Sequence, residues 1–226
     1  MPGSRFDGLV LDMDGVIVDT PALHRRVWEE FVQSAPWPEL RERPAGSAGR
    51  RSKDVLTELL GDRLSHEEIE RIVDGLHARF LRLAEDIDTV FPAMRALVEG
   101  LAGRVRVAIG TSAPRRVVES LLGSLLDSVD ATITSDECDA GKPNPEVYER
   151  AQRALGLDGR RVLVVEDTAI GVGAGVAAGC EVWAIATTPD VASACLAAGA
   201  SVIARDAAAM AALVTDRLAE TVGLGV

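Results

Sequence analysis

Asp12 and Asp14 stand two residues apart at the end of an apolar run, within the stretch FDGLVLDMDGVIVDT from Phe6 to Thr20. In an extended backbone such residues point the same way, and Gly15 lets the chain leave a sheet directly after them. Two carboxylates facing one pocket repel each other, and a fold keeps such a pair mainly where a cation or a shared proton makes use of it. Alone, a DxDG can simply stop a strand and begin a turn. Further polar groups stand at the ends of later apolar runs. Thr111 and Ser112 follow 105–109, Lys142 lies in the loop beyond 131–133, and Glu166 with Asp167 follows 162–165. Each has a plain reading as a helix cap, a solvated charge or an acidic helix start. In one crevice they suit phosphoryl transfer, where catalysis is mostly positioning plus neutralisation of phosphate charge. Magnesium takes hard oxygen ligands such as Asp12 and Asp167 and leaves positions for waters and a phosphate oxygen. A lysine and a hydroxyl then hold the other phosphate oxygens, and Asp14 fits the group that handles the proton. Lys142 is expected to act through its charge and to add nothing to stability.

The elements that must position these groups follow from hydrophobic period. After Thr20 the spacing becomes helical, with Leu23, Val27, Phe31 and Val32 on one stripe, closed by Pro36 and Pro38. A loop, RERPAGSAGRRSKD, leads to a short helix carrying Val55, Leu56, Leu59 and Leu60. Ser65 with Glu68 forms a capping box for a longer helix through Phe80 and Leu83. Residues 18–88 therefore read as a helical module inserted between the first strand and the rest. From Pro92 short apolar strands alternate with helices of about ten residues, which implies an α/β core with a parallel sheet covered on both faces. Ligands of such sheets bind beyond the carboxyl ends of the strands. The small residues of GVGAGVAAG let a helix pack closely on the sheet, and Val176 breaks a dinucleotide fingerprint.

A chain of 226 residues with 47% hydrophobic composition can bury a large core, and its net charge of −11 disfavours nucleic acid or an anionic membrane as partner. Cys138, Cys180 and Cys195 lack CxxC spacing and read as small apolar residues in a reducing compartment. No apolar run reaches the length of a membrane span. A soluble, cytoplasmic monomer acting on a small phosphorylated metabolite is expected.

DMDGVIVDT, GTSAPR, GKPNPEVY and VEDTAIG resemble, in order, the four motifs of the haloacid dehalogenase superfamily, and the helical insertion resembles the cap of its beta-phosphoglucomutase-like and phosphoglycolate-phosphatase-like branch. The resemblance covers nearly the whole chain. It implies a Rossmann-like doubly wound core over 1–17 and 89–226 with a cap over 18–88. It further implies Asp12 as nucleophile forming an aspartyl-phosphate and Asp14 as general acid and base. Thr111 and Lys142 would bind the phosphoryl group, with Ser112 beside them. Mg2+ would be held by Asp12, the Asp14 main-chain carbonyl and Asp167, with Glu166 as an adjacent or alternate ligand. In the cap, Thr20 would lie near the hinge, and Thr20, His24, Arg50, Arg51 and Ser52 would bind the substrate. His66 reads as a solvated helix start and His77 as a partly exposed residue of the module.

The resemblance thus implies a magnesium-dependent phosphatase. A sugar-phosphate mutase would use the same intermediate, but the relatives' cap lysine is missing from GLHARFL. A receiver-like phospho-switch domain shares the sheet, the acids and the lysine, but orders its motifs differently and carries no insertion.

Overall fold

All four residues of β1 (Gly8–Leu11) are buried, and a strand buried on both faces needs helices above and below its sheet. The computed structural model describes residues 6–41 and 47–222, and in these the helices are present. The insertion contributes α1 (Pro21–Ser34), α2 (Ser52–Leu60) and α3 (His66–Ala84). The chain then alternates through α4 (Pro92–Leu101), β2 (Arg106–Gly110), α5 (Arg115–Leu122), β3 (Ala131–Ile133) and α6 (Glu146–Leu155). It finishes with β4 (Val162–Glu166), α7 (Ala169–Ala177), β5 (Glu181–Ile185), α8 (Pro189–Ala198), β6 (Val202–Ala204) and α9 (Ala207–Val222).

Six strands pair in the order β3-β2-β1-β4-β5-β6, all parallel, which is the doubly wound Rossmann-like arrangement expected from the alternation. The chain winds outward from β1 to β3, then returns to β4 on the other side of β1. The carboxyl ends of β1 and β4 therefore flank the switch point where such sheets bind ligands. Period-two alternation sorts the core. Leu9, Leu11, Val107, Ile109, Leu163 and Val165 join the cluster that includes α4, α9 and the insertion. Val10, Ala108, Val162, Val164 and Val182 join the cluster that includes α6, α7 and α8. Each large apolar side chain buried this way contributes roughly 1.5–3 kcal/mol. Gly175 lets α7 approach the sheet, because a Cβ there would meet Val182 and Val164.

Within the insertion, Val27, Leu56, Leu60, Ile69, Leu76 and Phe80 pack together. The capping box at Ser65 forms as expected, with the Glu68 N–H donating to Ser65 Oγ at 3.3 Å and the Ser65 N–H to Glu68 Oε2 at 2.8 Å. Part of the expected loop before α2, residues 42–46, lies outside the described residues. The two ends of the insertion run side by side: Asp19 N–H donates to the Thr89 carbonyl at 2.8 Å, and Phe91 N–H to the Ile17 carbonyl at 2.9 Å. One boundary differs in a useful way. The apolar run suggested a strand ending at Val165, yet β4 includes Glu166, whose carboxylate is accordingly buried at the edge of the sheet.

Gly15 turns the chain out of β1 at φ +75°, and a Cβ there would overlap the Asp167 carboxylate. Gly15→Ala is therefore expected to cost roughly 1–3 kcal/mol of backbone strain and to displace Asp167. Urea unfolding measures the first effect; a midpoint equal to wild type would show that the turn relaxes freely.

Candidate active site

The tips of β2, β1 and β4, adjacent in the sheet, deliver Thr111, Asp12 and Asp167 to one cleft, and Lys142 rises from the loop between β3 and α6 to meet them. Lys142 Nζ lies 2.6 Å from Asp12 Oδ1, 2.6 Å from Glu166 Oε1 and 3.3 Å from the Gly110 carbonyl. Its residue surface is only 3% exposed, against 7% for Asp12 and 1% for Glu166. The expectation that Lys142 leaves stability untouched does not survive this burial: it is the counter-charge of two carboxylates that have lost most of their water.

Glu166 is saturated. Oε1 accepts from Lys142 and from the Tyr148 hydroxyl at 2.6 Å, while Oε2 accepts from the main-chain N–H groups of Asp167 and Thr168 and from Thr168 Oγ1 at 2.9–3.1 Å. Burial would raise its pKa, but Lys142, Tyr148 and the backbone donors hold it below the ordinary range. Asp12 moves the other way. Burial lifts it to about 7, opposed by Lys142 and aided by Glu166 and Asp14. Asp167 is also raised well above its ordinary value, by burial and then by Glu166, Asp12 and Asp14. Carboxylate oxygens of Asp12, Glu166 and Asp167 lie within 4.8 Å of one another. This hard-oxygen set, with two members unsettled by each other's charge, fits a divalent cation such as magnesium.

Asp14 stands apart from that knot and is held from the insertion side. Thr20 Oγ1 donates to Asp14 Oδ1 at 2.5 Å, and His24 Nε2 lies 2.9 Å from the same oxygen. Burial would raise Asp14, but His24, its hydrogen bond and Thr20 together bring it below the ordinary value. His24 is itself stacked on Phe80, ring centroids 4.4 Å apart. Thr111, 2% exposed, accepts at Oγ1 from the Ala113 N–H at 3.1 Å and keeps its own hydroxyl proton available to a ligand.

The cleft, about 180 Å³, brings together most of the residues anticipated from sequence: Asp12, Asp14, His24, Arg50, Ser52, Thr111, Ser112 and Asp167 line it. Thr20 is fully buried and reaches the cleft only through Asp14. Ser112 Oγ donates to the Gly49 carbonyl at 2.8 Å, pinning the insertion to the core. Arg51 departs from its expected place. It lines an adjoining groove, where it pairs with Asp54 at 2.8 Å and donates to the carbonyls of Cys138 and Asp139 at 2.9 and 3.1 Å. Its short reach to Asp54, three residues on along the chain, turns the guanidinium away from the cleft. Two residues gained no role from sequence. Tyr148 lay inside GKPNPEVY with no partner visible there, and His77 in fact lines the cleft. The signal for Tyr148 was its place beside Val147 on the buried stripe of α6, which carries its hydroxyl under the sheet.

A family model described as haloacid dehalogenase-like hydrolase matches residues 6–179. The chain is 29% identical over 182 residues to a phosphorylated carbohydrates phosphatase of Thermotoga maritima, covering 78% of this chain and 83% of the relative. It is 28% identical over 181 residues to a fructose-1-phosphate phosphatase of Escherichia coli, covering 77% and 94%. Among solved structures, a beta-phosphoglucomutase from Clostridium difficile superposes with a TM-score of 0.79 at 17% identity, covering 96% of this chain and 98% of that one. At that identity it speaks for the fold.

Lys142→Met should destabilise the metal-free protein by roughly 3–5 kcal/mol, since it leaves two buried carboxylates without their cation. Tyr148→Phe removes one hydrogen bond and keeps the ring, so roughly 1–3 kcal/mol is expected. Urea titration at neutral pH checks both, and a Lys142→Met protein as stable as wild type would mean that the acids are solvated.

Proposed function

The chain belongs to the haloacid dehalogenase-like hydrolase family, and on that premise we propose that it hydrolyses a small phosphorylated metabolite, a sugar phosphate or similar ester, through an aspartyl-phosphate on Asp12. The observation that carries this reading is the division of labour between two acids at one strand tip. Asp12 is fixed by Lys142 against the sheet edge, while Asp14 is held by Thr20 and His24 at the cleft. The named phosphatases among its relatives support the same class.

In the proposed reaction the ester enters as its monoanion and its proton passes to Asp14, whose pKa is held low in the resting site; an Asp12 carboxylate oxygen attacks phosphorus, and the ester oxygen leaves with that proton from Asp14. Asp14, now ionised, takes a proton from water as that water attacks the phosphorus, which frees phosphate and restores Asp12. Lys142 opposes the protonation of Asp12 that burial favours and aims its carboxylate, and Thr111 Oγ1–H with Lys142 would hold phosphate oxygens. A magnesium ion held by Asp12, Asp167 and the Asp14 main-chain carbonyl would neutralise phosphate charge at this place. Glu166, its lone pairs taken by hydrogen bonds, serves in this reading to orient Lys142 and the turn at 167–168. Residues 18–88 would act as a cap that excludes water from the cleft, with His24, Arg50 and Ser52 towards the substrate and Arg51 holding the cap closed. No helix among the described residues is long and apolar enough to cross a membrane; the three free cysteines support a reducing, cytoplasmic location. A sugar-phosphate mutase would share the intermediate and differ in passing the phosphoryl group to a second hydroxyl.

Asp12→Asn is expected to abolish turnover with the fold intact, because an amide cannot form the acyl-phosphate. Chelation should stop wild type and magnesium restore it. A screen of phosphorylated metabolites that records both free phosphate and isomerised ester reads all of this. Substantial activity in Asp12→Asn, or full activity in excess chelator, would sink the corresponding assignment.

A further inference from the structure

His77 lies on α3 one turn before Phe80, and its ring lines the cleft that holds Asp12, Asp14 and Asp167. The Arg116 guanidinium, reaching over from α5, sits 3.3 Å from His77 Nδ1 and holds Asp74 Oδ1 at 2.6 Å. A guanidinium only donates hydrogen bonds, so Nδ1 must keep its lone pair and the ring proton resides on Nε2. Burial, then the charge of Arg116, then that of His24 hold the His77 pKa down to about 4, which keeps the ring neutral at physiological pH. His77 is thus an oriented, uncharged donor.

The cations near it are already compensated. Arg50, which lines the same cleft, lies 2.7 Å from Glu58. In the adjoining groove Arg51, Lys53 and Arg116 pair with Asp54, Glu70 and Asp74 at 2.8, 3.0 and 2.6 Å. A second phosphate on the ligand would lose its water against a wall whose positive charge is neutralised, an unfavourable exchange. A hydroxyl or carbonyl oxygen needs only a donor.

We propose that His77 is a specificity-determining residue, donating an Nε2–H hydrogen bond to a neutral hydroxyl or carbonyl oxygen on the unphosphorylated part of the ester, and that the preferred substrate therefore carries a single phosphate. This deepens the phosphatase reading and rests on it. It assigns the chemistry of the distal wall, while Asp12, Asp14 and Lys142 act on the phosphate.

The test compares wild type, His77→Leu and His77→Gln on three probes: the sugar monophosphate that wild type turns over fastest in a panel, the bisphosphate of the same sugar, and para-nitrophenyl phosphate. His77→Leu should raise KM for the sugar monophosphate roughly three- to tenfold, the worth of one hydrogen bond, and leave kcat/KM for the aryl ester within about twofold. His77→Gln, whose amide nitrogen can replace Nε2–H, should recover most of the loss. Wild type should favour the monophosphate over the bisphosphate. In parallel, long-range 1H–15N correlation spectra of the wild-type histidines should show His77 protonated on Nε2 alone. Wild type that hydrolyses none of the three probes would overturn the phosphatase reading itself. Wild type active on all of them, with His77→Leu unchanged or equally impaired on sugar and aryl esters, would overturn the role of His77 alone. So would a ring protonated on Nδ1, whatever the turnover, and faster turnover of the bisphosphate would overturn the single-phosphate preference.

Discussion

A lysine with 2% of its side chain exposed, in contact with two carboxylates at 2.6 Å each, sets the terms for everything around it. Ions placed so far from water persist only if each is paired and its remaining hydrogen-bonding capacity is met. Glu166 meets that condition through five donors, among them Tyr148 from beneath the sheet and two backbone N–H groups at the start of the next turn. The burial of β1 and β4, the glycine at 171 whose missing Cβ leaves room for the Glu166 carboxylate, and the Tyr148 ring 4.9 Å from the Lys142 ammonium all serve the same knot. Asp12 is the member with capacity to spare. Its carboxylate is held by Lys142 and lines the cleft beside Asp14 and Asp167.

The helical insertion depends on the same edge of the sheet. His24 and Thr20 leave the insertion's first turn to hold Asp14, so this acid is oriented by a part of the chain other than its own strand. Across the cleft, Arg51 on the carbonyls of residues 138 and 139 and Ser112 on the carbonyl of residue 49 join insertion to core. The residues gripped by Arg51 lie in the same loop as Lys142. In the proposed reaction any movement of the insertion would thereby be linked to Lys142 and Asp14, the groups assigned there to phosphate charge and proton transfer.

Much of this was legible in the sequence, and for local reasons. DxDG, the run 162–167 and the strand–helix alternation follow from period two against period three and a half, and they place Asp12, Asp14, Thr111 and Asp167 at neighbouring strand tips without any tertiary information. Ser65 with Glu68 announced its helix by the same kind of local rule. What escaped was set by contacts between distant segments. In the sequence Lys142 reads as a phosphate-binding charge in the crevice with no part in stability; only the folded sheet brings Asp12, 130 residues away, and Glu166, 24 residues away, onto it and buries it. Arg51 looked like a ligand-facing cation because its choice of Asp54 over the cleft is a matter of rotamer and loop path. His77 reads as one more polar position on an amphipathic helix until Arg116 arrives from the core to fix its proton.

The central claim, that Asp12 carries the phosphoryl group between two displacements, is tested most directly by the stereochemical course at phosphorus. A substrate ester made chiral at phosphorus with oxygen isotopes, hydrolysed in isotopically distinct water, reports the number of in-line displacements without requiring any intermediate to accumulate. Two displacements, one by Asp12 and one by water, predict overall retention of configuration. Inversion would mean that water attacks the ester directly, and the buried knot around Lys142 would then be an electrostatic frame with no covalent part in the reaction.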